Sequence, residues 1–213
     1  VMGKNEWKES DEWPLKNTTY TNYYLNKEFN GEIDSICSGS LSKKMENENS
    51  QISFTNDPGN PVPSLGGNTL SIPNGIFEHS KIDKQCITFS TNPLENELEV
   101  TGPVSADIYV NSNNQNTDWV VRLCDIDESG YSRIVCDGIY RSTGTLGETQ
   151  KINVDMWATS NMFLKGHKLR VSVTSSCFPR FDRTLNNKSE KSENNILCGG
   201  SNASYITLPI INN

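Results

Sequence analysis

The chain has 213 residues, 34% of them hydrophobic, which suits one ordered domain with long polar loops. Its net charge of −7 argues against a nucleic-acid partner, because affinity for phosphates rests on lysine and arginine. No apolar run reaches the roughly 18 residues that a membrane-spanning helix needs, so no membrane partner is expected.

The chain starts at Val1 rather than methionine, and its first residues lack the pattern of a signal peptide. We therefore expect it to begin inside a longer polypeptide. Its six cysteines are scattered and form no C-x-x-C pair, which predicts free thiols and a cytoplasmic setting.

Residues 1–30 are predicted to form a leading segment before a domain over residues 31–213. Five aromatic residues of this segment form a predicted contact surface for a neighbouring domain: Trp7, Trp13, Tyr20, Tyr23 and Tyr24.

Period-two alternation is the main pattern along the rest of the chain, and nothing longer than about ten residues shows helical spacing. The predicted strands cover residues 51–54, 85–90, 97–101, 104–110, 119–126, 131–139, 152–156, 169–173 and 205–210. Asp127 to Gly130 is the clearest hairpin turn. Residues 43–50 and 186–195 are predicted to be solvent-exposed polar loops. The fold class is therefore all-β, with two packed antiparallel sheets and long loops.

Residues 57–67 contain three prolines and three glycines, which predicts a loop of defined shape rather than a flexible connection.

No Gly-x-Ser-x-Gly elbow occurs, and the two histidines have no matching nucleophile, so no catalytic residue is assigned. A structural hydrogen bond is predicted for His167 and no role for His79. Asp125, Asp127 and Glu128 lack EF-hand spacing and are predicted to close a turn. Neither a metal nor a cofactor is expected.

Aromatic side chains also allow a different function, a carbohydrate-binding β-sandwich module, because sugar faces stack on exposed tryptophan and tyrosine. Trp119 and Trp157 lie on or beside predicted strands, however, and core packing is predicted for both. The sugar-binding module is kept as the alternative.

Several short motifs occur in an order that resembles one family. They are Glu12-Trp13-Pro14, Asp57-Pro58 with the proline-glycine stretch to Gly67, Thr117-Asp118-Trp119, Asp137-Gly138-Ile139, Gly166-His167-Lys168-Leu169-Arg170, Phe178-Pro179-Arg180-Phe181-Asp182-Arg183 and Leu208-Pro209-Ile210. The ordered set resembles the C-terminal domain of the serine hydrolases that include cocaine esterase, glutaryl-acylase-like and α-amino-acid ester hydrolases, and X-Pro dipeptidyl peptidases.

This resemblance implies a jelly-roll domain of the galactose-binding-like type that follows an α/β-hydrolase domain holding the catalytic triad. The chain would then be a non-catalytic domain that buttresses its partner and allows a homodimer. The resemblance also implies that Ser71 and Ile72, after the double glycine, line the substrate pocket. The parent protein would be a serine ester or amide hydrolase.

Overall fold

The computed structural model describes residues 1–28, 37–70, 75–184 and 191–212. These residues form eleven strands, a four-residue helix and one turn of 3-10 helix at Gly200–Asn202. The elements are β1 (Thr18–Asn26), β2 (Cys37–Ser42), β3 (Ser50–Asn56), α1 (Ser80–Asp83), β4 (Ile87–Ser90), β5 (Leu98–Ser112), β6 (Asn116–Ile126), β7 (Ser132–Thr143), β8 (Gln150–Phe163), β9 (Lys168–Thr174), β10 (Ser192–Cys198) and β11 (Tyr205–Ile211). In the part of the chain that the structure covers, no helix has the length and apolar character to cross a membrane.

Ten strands follow one another by hydrogen bonding in the order β3-β10-β5-β11-β1-β2-β4-β9-β6-β7, and β8 pairs with β5. The pairing is antiparallel except between β2 and β4, which run parallel. Strands far apart along this path share one core: the rings of Phe54 in β3 and Trp119 in β6 lie 6.2 Å apart, edge to face. The all-β sandwich is therefore confirmed, although its layers belong to one continuous hydrogen-bonded path.

Alternating side chains explain why the long strands form. In β5, Val104, Ala106, Ile108 and Val110 are buried on one face, as the sequence predicts. The same strand carries β8 along one edge, while β11 and β10 share its other edge in turn. β5 is thus the central strand of this part of the sandwich.

One region differs from the prediction made from sequence. Residues 192–195, the end of the polar loop predicted over residues 186–195, belong to β10, which lies between β3 and β5. β1, which falls inside the leading segment predicted over residues 1–30, pairs with β11 and β2 and is part of the sheet.

Candidate functional site

The proline-glycine loop is fastened to the segment that follows β9. Ser64 N–H donates to the Phe178 carbonyl at 2.7 Å, and Phe178 N–H donates to the Val62 carbonyl at 3.0 Å. Beneath the loop, Val62, Ile82 and Cys86 form a small apolar cluster with Leu65 packed against it. The loop therefore has a core of its own, in keeping with a defined shape.

Buried polar groups hold α1 and the loop on the sheet. The Asp83 carboxylate is fully buried and accepts hydrogen bonds from Ser132 Oγ at 2.8 Å and Arg170 Nη1 at 3.0 Å. His79 Nε2 lies 2.6 Å from the Leu65 carbonyl, and burial lowers the pKa of this imidazole. A neutral His79 that donates from Nε2 fits this geometry and ties α1 to the loop.

A guanidinium is buried beside this cluster. Arg122 is 1% exposed, and its Nη1 lies 3.5 Å from the Cys86 sulfur. Burial raises the pKa of the Cys86 thiol to about 11. Cys86 is therefore a protonated structural thiol at neutral pH rather than a nucleophile.

The proline-glycine loop leads into a hairpin closed by two backbone hydrogen bonds. Gly67 N–H donates to the Gly75 carbonyl at 2.7 Å, and Gly75 N–H donates back at 3.2 Å. Ser71 and Ile72, the predicted pocket residues, lie within residues 71–74, outside the described residues. On either side of them, Leu70 is fully exposed and Ile76 is half exposed.

The first residues of the chain pair with the end of β8 and lie beside this hairpin. Met2 exchanges backbone hydrogen bonds with the end of β8, through the Ser160 carbonyl and Met162 N–H, each at 2.9 Å. The Lys8 ammonium bonds to the buried carboxylate of Glu99. Backbone hydrogen bonds and one ion pair thus hold the leading segment on the sheet.

Two adjoining depressions lie along this segment. The first, of about 840 Å³, is lined by Trp7 and Trp13, and the second, of about 490 Å³, by Trp13, Ile76 and Ile134. Trp7 is fully exposed, Trp13 57% and Ile76 54%. We call this surface, centred on Trp7, Trp13 and Ile76, the apolar face. Exposed tryptophans beside surface depressions are typical of a surface that contacts another protein.

The remaining predicted residues have mixed outcomes. His167 Nδ1 lies 2.8 Å from Asp125 Oδ1, so His167 has the structural partner that the sequence predicts, and Asp125 belongs to this pair rather than to the turn. Asp127 does close the turn, because its Oδ1 accepts from Ser129 N–H and Tyr131 N–H.

The two tryptophans predicted to pack in the core have different environments. Trp119 is completely buried, as predicted, and its indole N–H donates to Ser142 Oγ at 3.3 Å. Trp157 is 61% exposed, so its predicted core packing is wrong. The register between β5 and β8 shifts next to Trp157, and its φ of 66° interrupts the alternation of the strand.

Both histidines are engaged with structural partners. Over residues 1–28, 37–70, 75–184 and 191–212, no group of three or more His, Cys, Asp or Glu side chains could hold a metal ion. Sequence reasoning placed aromatic residues at this surface but missed Ile76, whose apolar character alone gives no sign of exposure.

Comparison with known proteins finds relatives that are longer than this chain. Cocaine esterase from Rhodococcus sp. (strain MB1 Bresler) is 38% identical over 99% of this chain, which spans 41% of that protein. A putative serine esterase from Mycobacterium bovis is 23% identical over 83% of this chain and 31% of its own length. The chain therefore spans less than half the length of the curated relatives that it matches.

Solved structures share the fold. An aminopeptidase from the marine sediment archaeon Thaumarchaeota archaeon has a TM-score of 0.84 at 21% identity, over 99% of this chain and 39% of that one. An α-amino acid ester hydrolase has a TM-score of 0.82 at 21% identity, over 98% of this chain and 40% of that one.

The model of one family, described as the X-Pro dipeptidyl-peptidase C-terminal non-catalytic domain, matches residues 1–207. This chain belongs to the family of X-Pro dipeptidyl-peptidase C-terminal non-catalytic domains.

Proposed function

We propose that this domain serves a serine hydrolase of esters or amides, and that its apolar face docks against an α/β-hydrolase domain of the same polypeptide. The observation that carries the proposal is the full exposure of Trp7 beside Trp13 and two surface depressions. Burying one large aromatic side chain contributes roughly 2–3 kcal/mol, so a domain contact here would stabilise the whole protein.

Trp7→Ser tests the docking surface when its effect on the melting temperature is compared between the chain alone and the full-length hydrolase. In the chain alone, Trp7 is already exposed, and the substitution should leave the melting temperature unchanged. In the full-length hydrolase, we expect the melting temperature to fall by several degrees, because a buried contact is lost. Trp157→Ser, another exposed tryptophan that lines neither depression, is the matched control. If Trp7→Ser lowers the melting temperature of both proteins equally and only slightly, the docking proposal is wrong.

We also propose that the hairpin closed by Gly67 and Gly75 reaches the acyl side of the substrate pocket through Ser71 and Ile72. These two residues would shape the pocket and exclude water, which discriminates between substrates without proton transfer. The exposed Leu70 and Ile76 on either side support this proposal, since both present apolar side chains to solvent.

Ile72→Trp in the full-length enzyme is the test of this second role. The ratio of kcat/KM for a bulky acyl ester to that for an acetyl ester should fall about tenfold, since one methylene-sized misfit alone alters binding by 1–3 kcal/mol. Leu146→Trp, at an exposed site in the β7–β8 connection, is the control and should leave the ratio unchanged. An unchanged ratio in the Ile72 variant would falsify the pocket assignment.

A reducing, cytoplasmic location is proposed because all six cysteines are free thiols. The sugar-binding alternative remains a separate prediction, tested by glycan-array binding of the isolated chain.

A further inference from the structure

Buried polar side chains lie where α1 meets the sheet. Four side-chain atoms there have no hydrogen-bond partner in the part of the chain that the structure describes: His79 Nδ1, Asp83 Oδ1, Arg122 Nη2 and Ser172 Oγ. Each of these residues is at most 1% exposed. Buried polar groups in native proteins are nearly always paired, either with protein or with ordered water, so these four atoms require a partner.

The sheet contributes two of the four atoms from adjacent strands. Arg122 in β6 is directly opposite Ser172 in β9, and opposite residues of an antiparallel pair lie on the same face of the sheet. Val121 and Val173, which also face each other, pack in the main core instead. The guanidinium and the hydroxyl are therefore neighbours on the face opposite the main core.

The helix contributes the other two atoms. His79 precedes α1 and Asp83 ends it one turn later, where Asp83 N–H donates to the His79 carbonyl at 2.8 Å. Asp83 Oδ2 accepts from Arg170 Nη1 at 3.0 Å, and Arg170 is two residues before Ser172 in β9. Side chains two residues apart in a strand lie on one face, so the Asp83 carboxylate lies over the face that carries Ser172.

Arg122 is held against the same helix. Its Nη1 lies 3.5 Å from Cys86 Sγ, and this thiol donates to the Ile82 carbonyl of α1 at 3.3 Å. Burial lowers the pKa of His79, and the charge of Arg122 lowers it further, so the imidazole and the guanidinium are within electrostatic range. The four atoms thus belong to one small region between α1 and the sheet.

The chemistry of the four atoms selects the kind of partner. Arg122 Nη2 can only donate a hydrogen bond, whereas the Asp83 carboxylate can only accept. His79 Nδ1 also accepts, because Nε2 carries the proton donated to the Leu65 carbonyl. The carboxylate would repel a chloride ion, and the guanidinium would repel a metal cation. A water molecule, in contrast, both donates and accepts.

We propose that this region is an internal hydration site, in which buried water accepts from the two donors of the sheet and donates to the two acceptors of α1. The water connects β6 and β9 to both ends of α1 and, through the hydrogen bond between His79 and Leu65, to the proline-glycine loop. Leaving these groups unpaired costs more free energy than ordering water, so the site stays hydrated in the native protein.

A high-resolution crystal structure of the 213-residue chain, grown in sodium bromide, tests the site. We expect an electron-density peak about 2.7–3.2 Å from both Arg122 Nη2 and Asp83 Oδ1, without the anomalous signal of bromide. An anomalous peak at this position would overturn the choice of water in favour of an anion. If no peak lies between the two side chains, the hydration site itself is overturned.

Ser172→Val tests the partners of the water. The substitution replaces the hydroxyl donor by methyl groups that extend into the site, so the peak should be lost. Ser192→Val is the matched control, because Ser192 is also a buried serine, 2% exposed, but belongs to β10 on another part of the sheet. The peak should remain in this control. A peak that persists in Ser172→Val would overturn the proposed set of partners, and the wild-type structure decides the proposal if either variant fails to fold.

Discussion

His79 is the residue whose charge state bears most directly on the proline-glycine loop. Burial lowers its pKa, and the nearby charge of Arg122 acts in the same direction, against the raising effects of Asp83 and Asp137. The unfolded chain takes up this proton near its ordinary pKa of about 6.5, whereas the folded chain does not. Stability should therefore fall as the pH falls below about 6.5, by up to about 1.4 kcal/mol per pH unit until the folded-state pKa is reached.

His79→Gln tests this pH dependence. Glutamine can still donate to the Leu65 carbonyl but takes up no proton, so the variant should lose less stability than the wild type between pH 7.5 and pH 5. The free energy of unfolding by denaturant of the 213-residue chain measures the difference. Asp125 and the other carboxyl groups contribute to both proteins and cancel in the comparison. Parallel pH profiles for the two chains would show that His79 carries no such effect.

Single residues also show the limit of prediction from sequence. The role of His167 could be predicted, because a histidine at the start of an alternating strand has a structural partner more often than a catalytic one. The exposure of Trp157 could not, because it depends on a register shift against β5 that leaves no sign in the local alternation. Nor could the contacts of Arg180, which donates to the Asp137 carboxylate and to the Asn68 carbonyl, because spacing along the chain does not bring these distant segments together.

At the scale of elements, β5 depends on a glycine at the point where the strand register shifts. Gly102 has a φ of 141°, next to the shifts in register against both β8 and β11, and an added β-carbon would lie 2.8 Å from the Pro209 side chain. Gly102→Ala should cost about 3–5 kcal/mol, as backbone strain and overpacking add together.

Gly130→Ala is the control for this prediction. Gly130 also has a positive φ, 86°, but nothing lies within 4 Å of an added β-carbon in its hairpin turn. Only backbone strain is then expected, about 1–2 kcal/mol. Denaturant unfolding of both variants measures the two losses. Equal losses of unfolding free energy in the two variants would mean that the close contact with Pro209 does not destabilise Gly102→Ala further.

Whether an element could be predicted depended on which side chains it buries. β5 and β8 bury aliphatic residues alternately over much of their length, and period-two alternation predicted them. β6 and β7 were predicted from the hairpin turn between them, and β6 is buried along almost its whole length. β10 buries Ser192 and Asn194 as well as Ile196 and Cys198, so its sequence has the composition of a loop. Asn194 is satisfied inside the sandwich, accepting from Ser112 Oγ at 2.7 Å and donating to Ser175 Oγ at 2.8 Å. Such partners become visible only once the fold is known.

At the scale of the whole molecule, one core joins residues from strands at opposite ends of the hydrogen-bonded path. The overall architecture could be predicted because many alternating strands and no helical pattern leave few ways to bury apolar faces. The order of the strands, with a parallel pair between β2 and β4, could not, because pairing of distant segments has no local signature.

The cysteines report on the integrity of this core. Five of the six are buried, and Cys37 is partly exposed. Burial raises the pKa of the Cys198 thiol to about 12 and that of Cys86 to about 11, and five buried sulfurs are also shielded from reagents. At pH 8, a thiol of pKa 11 is ionised in about one molecule in a thousand, and only the thiolate reacts.

An aromatic disulfide reagent should therefore modify about one thiol per native chain quickly and the other five at the rate of unfolding. Cys37→Ser should abolish the fast phase, whereas Cys198→Ser, which removes a buried thiol from the neighbouring β10, should keep it. The absorbance of the released aromatic thiolate, followed with and without denaturant, gives the number of thiols that react in the native chain and the total number. Rapid reaction of several thiols in the native chain would mean that the sandwich opens locally far more often than its buried core implies, because each buried sulfur must be uncovered before it can react.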